Sequence, residues 1–180
     1  GGGSFCDNGQ GVAIGLDGSE TGITYTLYLN GTATATSVNG TGSALSFGLV
    51  NVTGNYTVYA LNAVTGCAEY MSGTAVVNLY PNPSVFNVSG GGTLCSGGNG
   101  YTIDLSSSQT GISYTLYLNG TATSQVLQGT GSALSFPVQT AAGTYTVMAT
   151  DDINGCSVAM SGSAVVVVNP LPTAFQVTGG

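Results

Sequence analysis

The chain has 180 residues without a single lysine, arginine or histidine, and its seven acidic side chains leave a formal net charge of −7. The missing cations exclude neutralisation of nucleic-acid phosphates, and the missing histidine and lysine exclude Ser-His-Asp, Cys-His and Schiff-base catalysis. A hydrophobic content of 42% argues against disorder, and no apolar run approaches the ~20 residues of a membrane-spanning helix. We therefore expect a folded chain that is not an enzyme, binds no nucleic acid and does not insert into a membrane.

Alternating apolar and polar residues predict short β-strands through the first half of the chain. Residues 12–16 alternate, and residues 23–29 place every second side chain, all of them apolar, on one face. Asn30-Gly31 follows this segment and predicts a type I′ hairpin turn. No segment has the period of a helix. The remaining predicted strands of this half lie at residues 45–47, 56–60 and 75–79.

A tyrosine in each half fits a feature of β-sandwich domains. Tyr56 stands at the start of a predicted strand, and Tyr145 stands at the same place in the second half. In immunoglobulin-like sandwiches such a tyrosine bonds back to the corner that precedes its strand. Antibody domains have a cysteine two residues later, whereas this chain has Val58 and Val147. We predict the tyrosine corner without the antibody disulfide.

The second half of the chain repeats the first half without a gap. Cys95 stands 89 positions after Cys6, and Pro170 stands 89 positions after Pro81. The same offset relates many other residues, and it repeats the hairpin signal at Asn119-Gly120. Short strands separated by turn residues predict, in each repeat, an Ig-like β-sandwich of about seven strands. The predicted fold is therefore all-β, in tandem Ig-like domains.

The register of the repeat predicts three segments. They are an Ig-like repeat over residues 1–83, a second over residues 84–172, and the start of a following repeat at residues 173–180. We interpret the chain as a window on a longer tandem array, and the alternative is a two-domain protein with a ragged tail. Stiff inter-domain linkers are predicted at Pro81, Pro83, Pro170 and Pro172.

The first strand of each repeat raises a question of assembly. Residues 86–88 alternate and predict a first strand for the second repeat, whereas Gly1 matches Gly90 and lies beyond that strand. The first repeat would then have an unfilled sheet edge, which exposes unpaired backbone groups. We expect upstream residues of a longer covalent chain to occupy it, and the alternative occupant is the tail of a neighbouring copy, residues 175–180.

Several strings of the second repeat resemble a known family. They are C-x-G-G-x-G-x-T-I-x-L-S-x-S-Q-T-G-I-S-Y from Cys95, G-T-G-S-A-L-S-F, A-A-G-T-Y-T-V-M-A-T and V-N-P-L-P-T-A-F-Q-V. This pattern resembles the Ig-like repeats of giant surface proteins of the Bacteroidota, including SprB-type gliding adhesins and other cargo of type IX secretion. The resemblance implies an extracellular Ig-like array that projects from the cell surface, and it implies no catalytic residues.

Each repeat contains two cysteines, which allow three pairings among four residues. We predict disulfides within the repeats, Cys6 with Cys67 and Cys95 with Cys156, because only this scheme lets each copy complete its own bond. A head-to-tail bond between Cys67 and Cys95 is an alternative that also suits an endless array. Reduced, inert core cysteines are a further alternative, against which an extracellular setting argues.

The remaining polar residues give weak candidates for sites. None of the seven acidic residues recurs in the other repeat, so a repeated carboxylate pair is excluded and no cofactor is expected. Residues 151–154, D-D-I-N, offer oxygen ligands for calcium but lack the spaced acidic pattern of a calcium loop, so a solvated turn is the prediction. Asn30 and Asn119 lie in N-x-T sequons and are candidate glycosylation sites.

We predict a structural role: a tandem-repeat segment of a large extracellular filament or surface adhesin that forms an extended stalk or fibre. Its expected partners are further copies of the same repeat, end to end. The alternative is an adhesive module that binds surface glycans or another cell. That alternative needs loops that differ between the repeats, and the candidates are residues 33–39 against residues 121–128.

Overall fold

The computed structural model describes residues 1–7 and 9–179, so that Gly180, the last residue of the predicted third segment, lies outside the description. The chain divides into two compact units, Gly1–Pro81 and Asn82–Gly180. The described residues form sixteen β-strands and no helix. Among them there is accordingly no helix with the length and apolarity that crossing a membrane requires.

The first unit is a sandwich of two sheets. The larger sheet has the order β1-β8-β6-β3-β4, with β7 paired to β6, and the smaller one is the pair β2-β5. Ile14 from the small sheet and Leu27 from the large one are both buried in the core between them. The strands are β1 (Gly3–Cys6), β2 (Val12–Leu16), β3 (Thr24–Leu29), β4 (Thr32–Asn39), β5 (Leu45–Val50), β6 (Gly54–Leu61), β7 (Ala68–Tyr70) and β8 (Ala75–Tyr80).

The second unit has the same elements but joins them into a single sheet. Its strand order is β12-β11-β14-β16-β9-β10-β13, with β15 paired to β14. The core holds Ile103, Tyr114, Phe136 and Val147, which are the repeat counterparts of core residues in the first unit. The strands are β9 (Val88–Cys95), β10 (Tyr101–Leu105), β11 (Ile112–Leu118), β12 (Thr121–Gln128), β13 (Leu134–Gln139), β14 (Gly143–Asp151), β15 (Ser157–Ala159) and β16 (Ala164–Asn169).

Strand β9 joins the two halves of the second sandwich because it changes partner along its length. Its start pairs antiparallel with β10, and from Gly91 onwards it pairs parallel with β16. Gly90 and Gly91 have φ values of 98° and 74°, and a Cβ at either would lie within 2.4 Å of a backbone oxygen. Only glycine fits this crossing point, because the chain is both left-handed and in close contact with its neighbours.

The prediction of an all-β sandwich is confirmed, with eight strands among the described residues of each unit where about seven were predicted. The additional strand arises because the last strand is split. In the second unit β15 pairs with residues 148–150 of β14, whereas β16 pairs with residues 143–145 of the same strand. Ser161 lies in the gap and forms a parallel bridge with Asn87. The interruption is therefore the place where the first strand enters.

Both predicted turns and both tyrosine corners are confirmed. Asn30 and Asn119 have φ values of 48° and 50°, and each is followed by a glycine near 80°, as a type I′ turn requires. The hydroxyl of Tyr56 donates to the carbonyl oxygen of Val52 at 2.8 Å. The hydroxyl of Tyr145 makes the equivalent bond, 2.9 Å long, to the carbonyl oxygen four residues earlier. Burial raises the pKa of both hydroxyls.

Candidate functional site: the first-strand groove

The segment that begins the second unit is held by backbone hydrogen bonds on one side. The N–H of Val88 donates to the carbonyl oxygen of Ser161 at 2.8 Å, and the N–H of Ser161 donates to the carbonyl oxygen of Phe86 at 2.9 Å. The N–H of Phe86 points at the Sδ atom of Met160, 3.4 Å away. These bonds place the segment in the gap of the split last strand.

The opposite side of the segment is bonded to β10 and the residues that follow it. The N–H of Ser106 donates to the carbonyl oxygen of Asn87, and the hydroxyl of Ser106 accepts the N–H of Asn87, both at 3.0 Å. Further upstream, the N–H of Ser84 donates to Oε1 of Gln109. The segment thus forms hydrogen bonds along both of its edges. Its last residue, Val88, is only 4% exposed.

The first unit has the same walls without this segment. Strand β2 pairs only with β5 among the strands of the described residues 1–7 and 9–81, so its other edge carries no strand, although Gly1 lies beside Ile14. A groove of about 170 Å³ lies there, which we call the first-strand groove. Its walls include residues 14–16 of β2 and residues 71–75, the counterparts of residues 103–105 and 160–164.

Burial differs between the two units at these matched positions. Leu105, Met160 and Ala164 are buried in the second unit, whereas their counterparts Leu16, Met71 and Ala75 are partly exposed. A second cavity of about 450 Å³ is also bordered by Met71 and is lined by Glu20, the counterpart of Gln109. Both cavities therefore lie along the path that residues 84–88 take in the second unit.

The tail of the chain repeats the docked segment but is itself undocked. Residues 171–179 form no strand, and Phe175 and Val177 are 87% and 97% exposed. Their repeat counterparts are Phe86, which packs against the core, and the buried Val88. The same side chains therefore occur in a docked and an undocked environment within one chain.

The comparison with known families agrees with this architecture. The family described as "Ig-like domain CHU_C associated" matches residues 81–170, which is half of the chain. The chain belongs to this family. This match confirms the predicted Ig-like fold, and it covers the second of the two repeats. No curated protein sequence matches it.

The solved structures that resemble this chain have low sequence identity to it. The fibronectin(III)-like modules of CbhA from Clostridium thermocellum are 13% identical, with a TM-score of 0.43, over 98% of this chain and 95% of theirs. A Ca²⁺-stabilised ice-binding adhesin of an Antarctic bacterium is 18% identical, with a TM-score of 0.43, over 92% of this chain and 46% of its own. The human OSCAR ligand-binding domain is 15% identical, with a TM-score of 0.35, over 86% and 88% of the two chains.

The cysteines of the second repeat lie at opposite ends of their sheet. Cys95 pairs with Asn169 at the end of β16, whereas the carbonyl oxygen of Cys156 accepts the N–H of Asp151 at the end of β14. Strands β14 and β16 are antiparallel and pair only near their starts, so their ends point apart. At ~3.3 Å per residue the two cysteines are about 35 Å apart, whereas a disulfide needs Cα atoms within ~7 Å.

The first repeat has the same separation. Cys6 pairs with Tyr80 at the end of β8, and Cys67 lies beyond the opposite end of β6. In accordance with this, Cys67 and Cys95 are exposed free thiols, whereas Cys6 and Cys156 are disulfide-bonded. Neither predicted within-repeat disulfide is formed in the structure, nor is the head-to-tail bond between Cys67 and Cys95. The equal spacing in the two repeats showed that their cysteines are equivalent, but it did not show at which end of a strand each cysteine lies.

The other polar candidates serve local structure. The carboxylate of Asp151 accepts the N–H groups of Ile153 and Asn154, which is the turn that the sequence predicts. Within residues 1–7 and 9–179, no cluster of three or more metal-ligating side chains occurs. The Oδ1 atoms of Asn30 and Asn119 accept the backbone N–H groups of Asn55 and Thr144, near the starts of β6 and β14, at 2.9 Å. Whether these two asparagines carry glycans stays a prediction.

The segments that were expected to differ as loops are strands. Residues 33–39 belong to β4 and residues 121–128 to β12, the edge strands of their sheets, so they are not ligand-binding loops. The predicted linker prolines fall at both ends of the second repeat. Pro81 ends the first unit and is exposed, Pro83 is buried, and Pro170 and Pro172 are exposed beyond β16.

Proposed function

We propose that the chain is a structural segment of an extracellular stalk or fibre, in which each Ig-like repeat is completed by residues that precede it. The observation that carries this proposal is that residues 84–88 are docked in the second unit, whereas the corresponding first-strand groove of the first unit holds no such segment. A repeat of this kind needs a neighbour on its N-terminal side.

Repetition gives such a segment its length. Strand β14 has nine residues, which span about 30 Å at ~3.3 Å per residue, and each added repeat brings another body of this size. A stalk needs no chemistry of its own, and the seven carboxylates are not repeated between the units. The function is therefore best described as mechanical: it holds or extends other parts of a surface protein.

An extracellular location is part of the proposal. The chain has no lysine or arginine, so trypsin-like proteases find no site in it. It also contains disulfide-bonded cysteines, which persist in oxidising environments such as the cell exterior. Both features suit a protein that is exposed to secreted enzymes. The same proposal includes that the longer protein is a surface adhesin of the SprB type, as the resemblance of the repeats implies.

The test is to lengthen the array. Residues 1–178 are placed directly before residues 1–180, so that Thr178 is followed by Gly1 in the register of the repeat. We expect the maximum dimension from small-angle X-ray scattering to increase by a constant amount for each repeat added. Residues 172–178 at the new junction should become protected against hydrogen exchange. A junction that exchanges as fast as the free tail would contradict the proposal.

A further inference from the structure

We propose that the first unit binds a neutral polysaccharide on the outer face of its larger sheet, at a cluster of Tyr28, Tyr59 and Tyr70 that we call the tyrosine patch. The patch lies on β3, β6 and β7, and none of its residues lines the first-strand groove. The inference is therefore independent of the proposed function. It adds an adhesive site to a structural segment.

The tyrosine patch faces away from the core because side chains alternate along a strand. On β3 the buried side chains are Tyr25 and Leu27, so Tyr28 lies on the opposite face. On β6 the buried residues alternate with Tyr59 in the same way, and Tyr70 is the direct partner of Tyr59 on β7. The solvent face of an antiparallel sheet is normally polar. Three clustered tyrosines on this face contribute nothing to the core between the sheets.

The three rings contact one another. The ring centroids are 5.7 Å apart for Tyr28 and Tyr59, 5.6 Å for Tyr28 and Tyr70, and 4.9 Å for Tyr59 and Tyr70. The interplanar angles of 53°, 77° and 61° are tilted or edge-to-face, which is a preferred arrangement of aromatic pairs. These contacts hold the rings in place before a ligand arrives. Binding therefore costs little additional side-chain entropy.

Hydroxyl and amide groups without charge border the tyrosine patch on the same face. The hydroxyl oxygens of Thr26 and Ser37 are 2.9 Å apart, and the hydroxyl of Thr24 donates to Oδ1 of Asn39 at 3.2 Å. Among the residues of β3, β4, β6 and β7, all of which the structure describes, the only charged side chain is Glu69. It lines the cavity of about 450 Å³ together with core residues of β3 and β6, so it faces away from the patch.

An aromatic surface with an uncharged polar border fits an uncharged sugar chain. A sugar ring has a face of C–H groups, which the negative face of an aromatic ring attracts, and hydroxyl groups at its edge, which bond to polar side chains. A glycan with carboxylates would be repelled by a chain of net charge −7. A cationic partner is bound most strongly where a carboxylate stands beside the rings, and these four strands present none on this face.

The size of the tyrosine patch argues against a protein as its occupant. Tyr70 is 51% exposed, and Tyr28 and Tyr59 are half-buried. With ~200 Å² for a tyrosine side chain, the three rings together offer about 250 Å² at most. A standard protein interface buries ~800 Å² on each partner. A few sugar units cover an area of the size that the rings offer.

The tyrosine patch is absent from the second unit. Its counterpart there consists of Tyr117, Met148 and Ala159. Asp152 also brings a carboxylate to this face, where it accepts the hydroxyl hydrogen bond of Ser113. One chain thus contains an aromatic, uncharged face and a matched face without these properties, which allows each to serve as the control for the other.

The experiment is affinity electrophoresis of the full 180-residue chain in native gels that contain hydroxyethyl cellulose, dextran or mannan. We expect at least one of these neutral polymers to retard the chain, whereas the acidic polymer alginate should not. Failure of all three neutral polymers to retard the chain overturns the inference. Binding to poly-lysine without binding to a neutral polymer would assign the patch to a cationic partner and also overturn it.

A double variant places the binding at the three rings. Tyr59→Met combined with Tyr70→Ala gives the first unit the residues of the second at these positions, so the sandwich should still fold. We expect the association constant for the retarding polymer to fall at least about tenfold. Phe175→Ala is the matched control, since Phe175 is an aromatic side chain that is 87% exposed outside the patch. Retardation that persists in the double variant would overturn the inference.

A graft tests whether the three rings suffice. Met148→Tyr, Ala159→Tyr and Asp152→Ala give the outer face of the second unit the residues of the first unit at these positions. Titration calorimetry with a short oligosaccharide of the retarding polymer should then show two sites per chain, where the parent chain has one. A grafted chain that still has one site would contradict the assignment of binding to the tyrosine patch.

Discussion

Val88 donates its backbone N–H to the carbonyl oxygen of Ser161 at 2.8 Å, and this bond joins the first strand of the second unit to the gap in its last strand. Residues at the start of the second repeat thus lie in the gap between its last two strands, β15 and β16. In the first unit the counterpart of Ser161 is Ser72, which lines the open first-strand groove. The second unit forms this bond and has its first strand in place, whereas the first unit leaves the corresponding groove unfilled.

Replacing Val88 by alanine should destabilise the second unit selectively. The side chain is buried in the core, so we expect a loss of about 2 kcal/mol from lost burial and the cavity that remains. Hydrogen exchange followed by mass spectrometry should show faster exchange in residues 101–168 and unchanged exchange in the first unit. Val165→Ala, at an exposed site on β16, is the control. Equal effects of the two substitutions would refute the structural role of Val88.

Substituting Asn119 tests the hairpin turn. Asn119 has a φ of 50° and accepts the N–H of Thr144 with its side chain. We expect Asn119→Ala to cost about 1–2 kcal/mol in unfolding by urea, because alanine has no acceptor and is strained in the left-handed region. Asn119→Gly should recover part of the loss because glycine adopts this φ without strain. A glycine variant less stable than the alanine variant would contradict this explanation.

The tyrosine corners should limit stability at high pH. Burial raises the pKa of Tyr56 and Tyr145 in the folded chain, so the folded state holds these protons more tightly than the unfolded state does. The stabilisation is complete below the ordinary tyrosine pKa of ~10 and is lost as the pH rises above it. The chain has no lysine or arginine that could contribute to this loss.

The measurement for this alkaline loss is urea unfolding at several pH values between 9 and 12, approximately. Replacing both Tyr56 and Tyr145 by phenylalanine should flatten the loss of stability, although each substitution also removes a hydrogen bond of about 1 kcal/mol. Tyr117→Phe is the control on the outer face of β11. A double variant that loses stability as steeply as the parent would show that other groups determine the alkaline limit.

Thiol chemistry should distinguish the two kinds of cysteine. Cys67 and Cys95 are exposed and free, so a thiol reagent should label both in the folded chain without reduction. We expect peptide mapping with chymotrypsin, since trypsin cannot cleave this chain, to show no link between Cys6 and Cys67 or between Cys95 and Cys156. Labelling in denaturant without reductant should give the same two sites. Recovery of either within-repeat link would overturn the strand registers described above.

Local patterns in the sequence determined much of this protein. Alternation gave the strand of residues 23–29, Asn30-Gly31 gave its hairpin, and Tyr56 gave the corner, because each depends on residues close together in the chain. The repeat offset also predicted a first strand at residues 86–88, but in the structure this strand, β9, begins only at Val88 and continues to Cys95, and the first unit retains its later part as β1. These features are recognisable without a fold because their hydrogen bonds and dihedral angles are local.

Only the tertiary structure decided how distant segments meet. The first strand of the second unit enters beside Ser161, at the split in the last strand, and the partner change at Gly91 depends on where β10 and β16 lie. The number of residues between Cys95 and Cys156 does not show whether their thiols are neighbours or far apart in the fold. Their separation follows from the direction in which β14 and β16 run, and strand direction is a property of pairing between remote residues, which no local pattern contains.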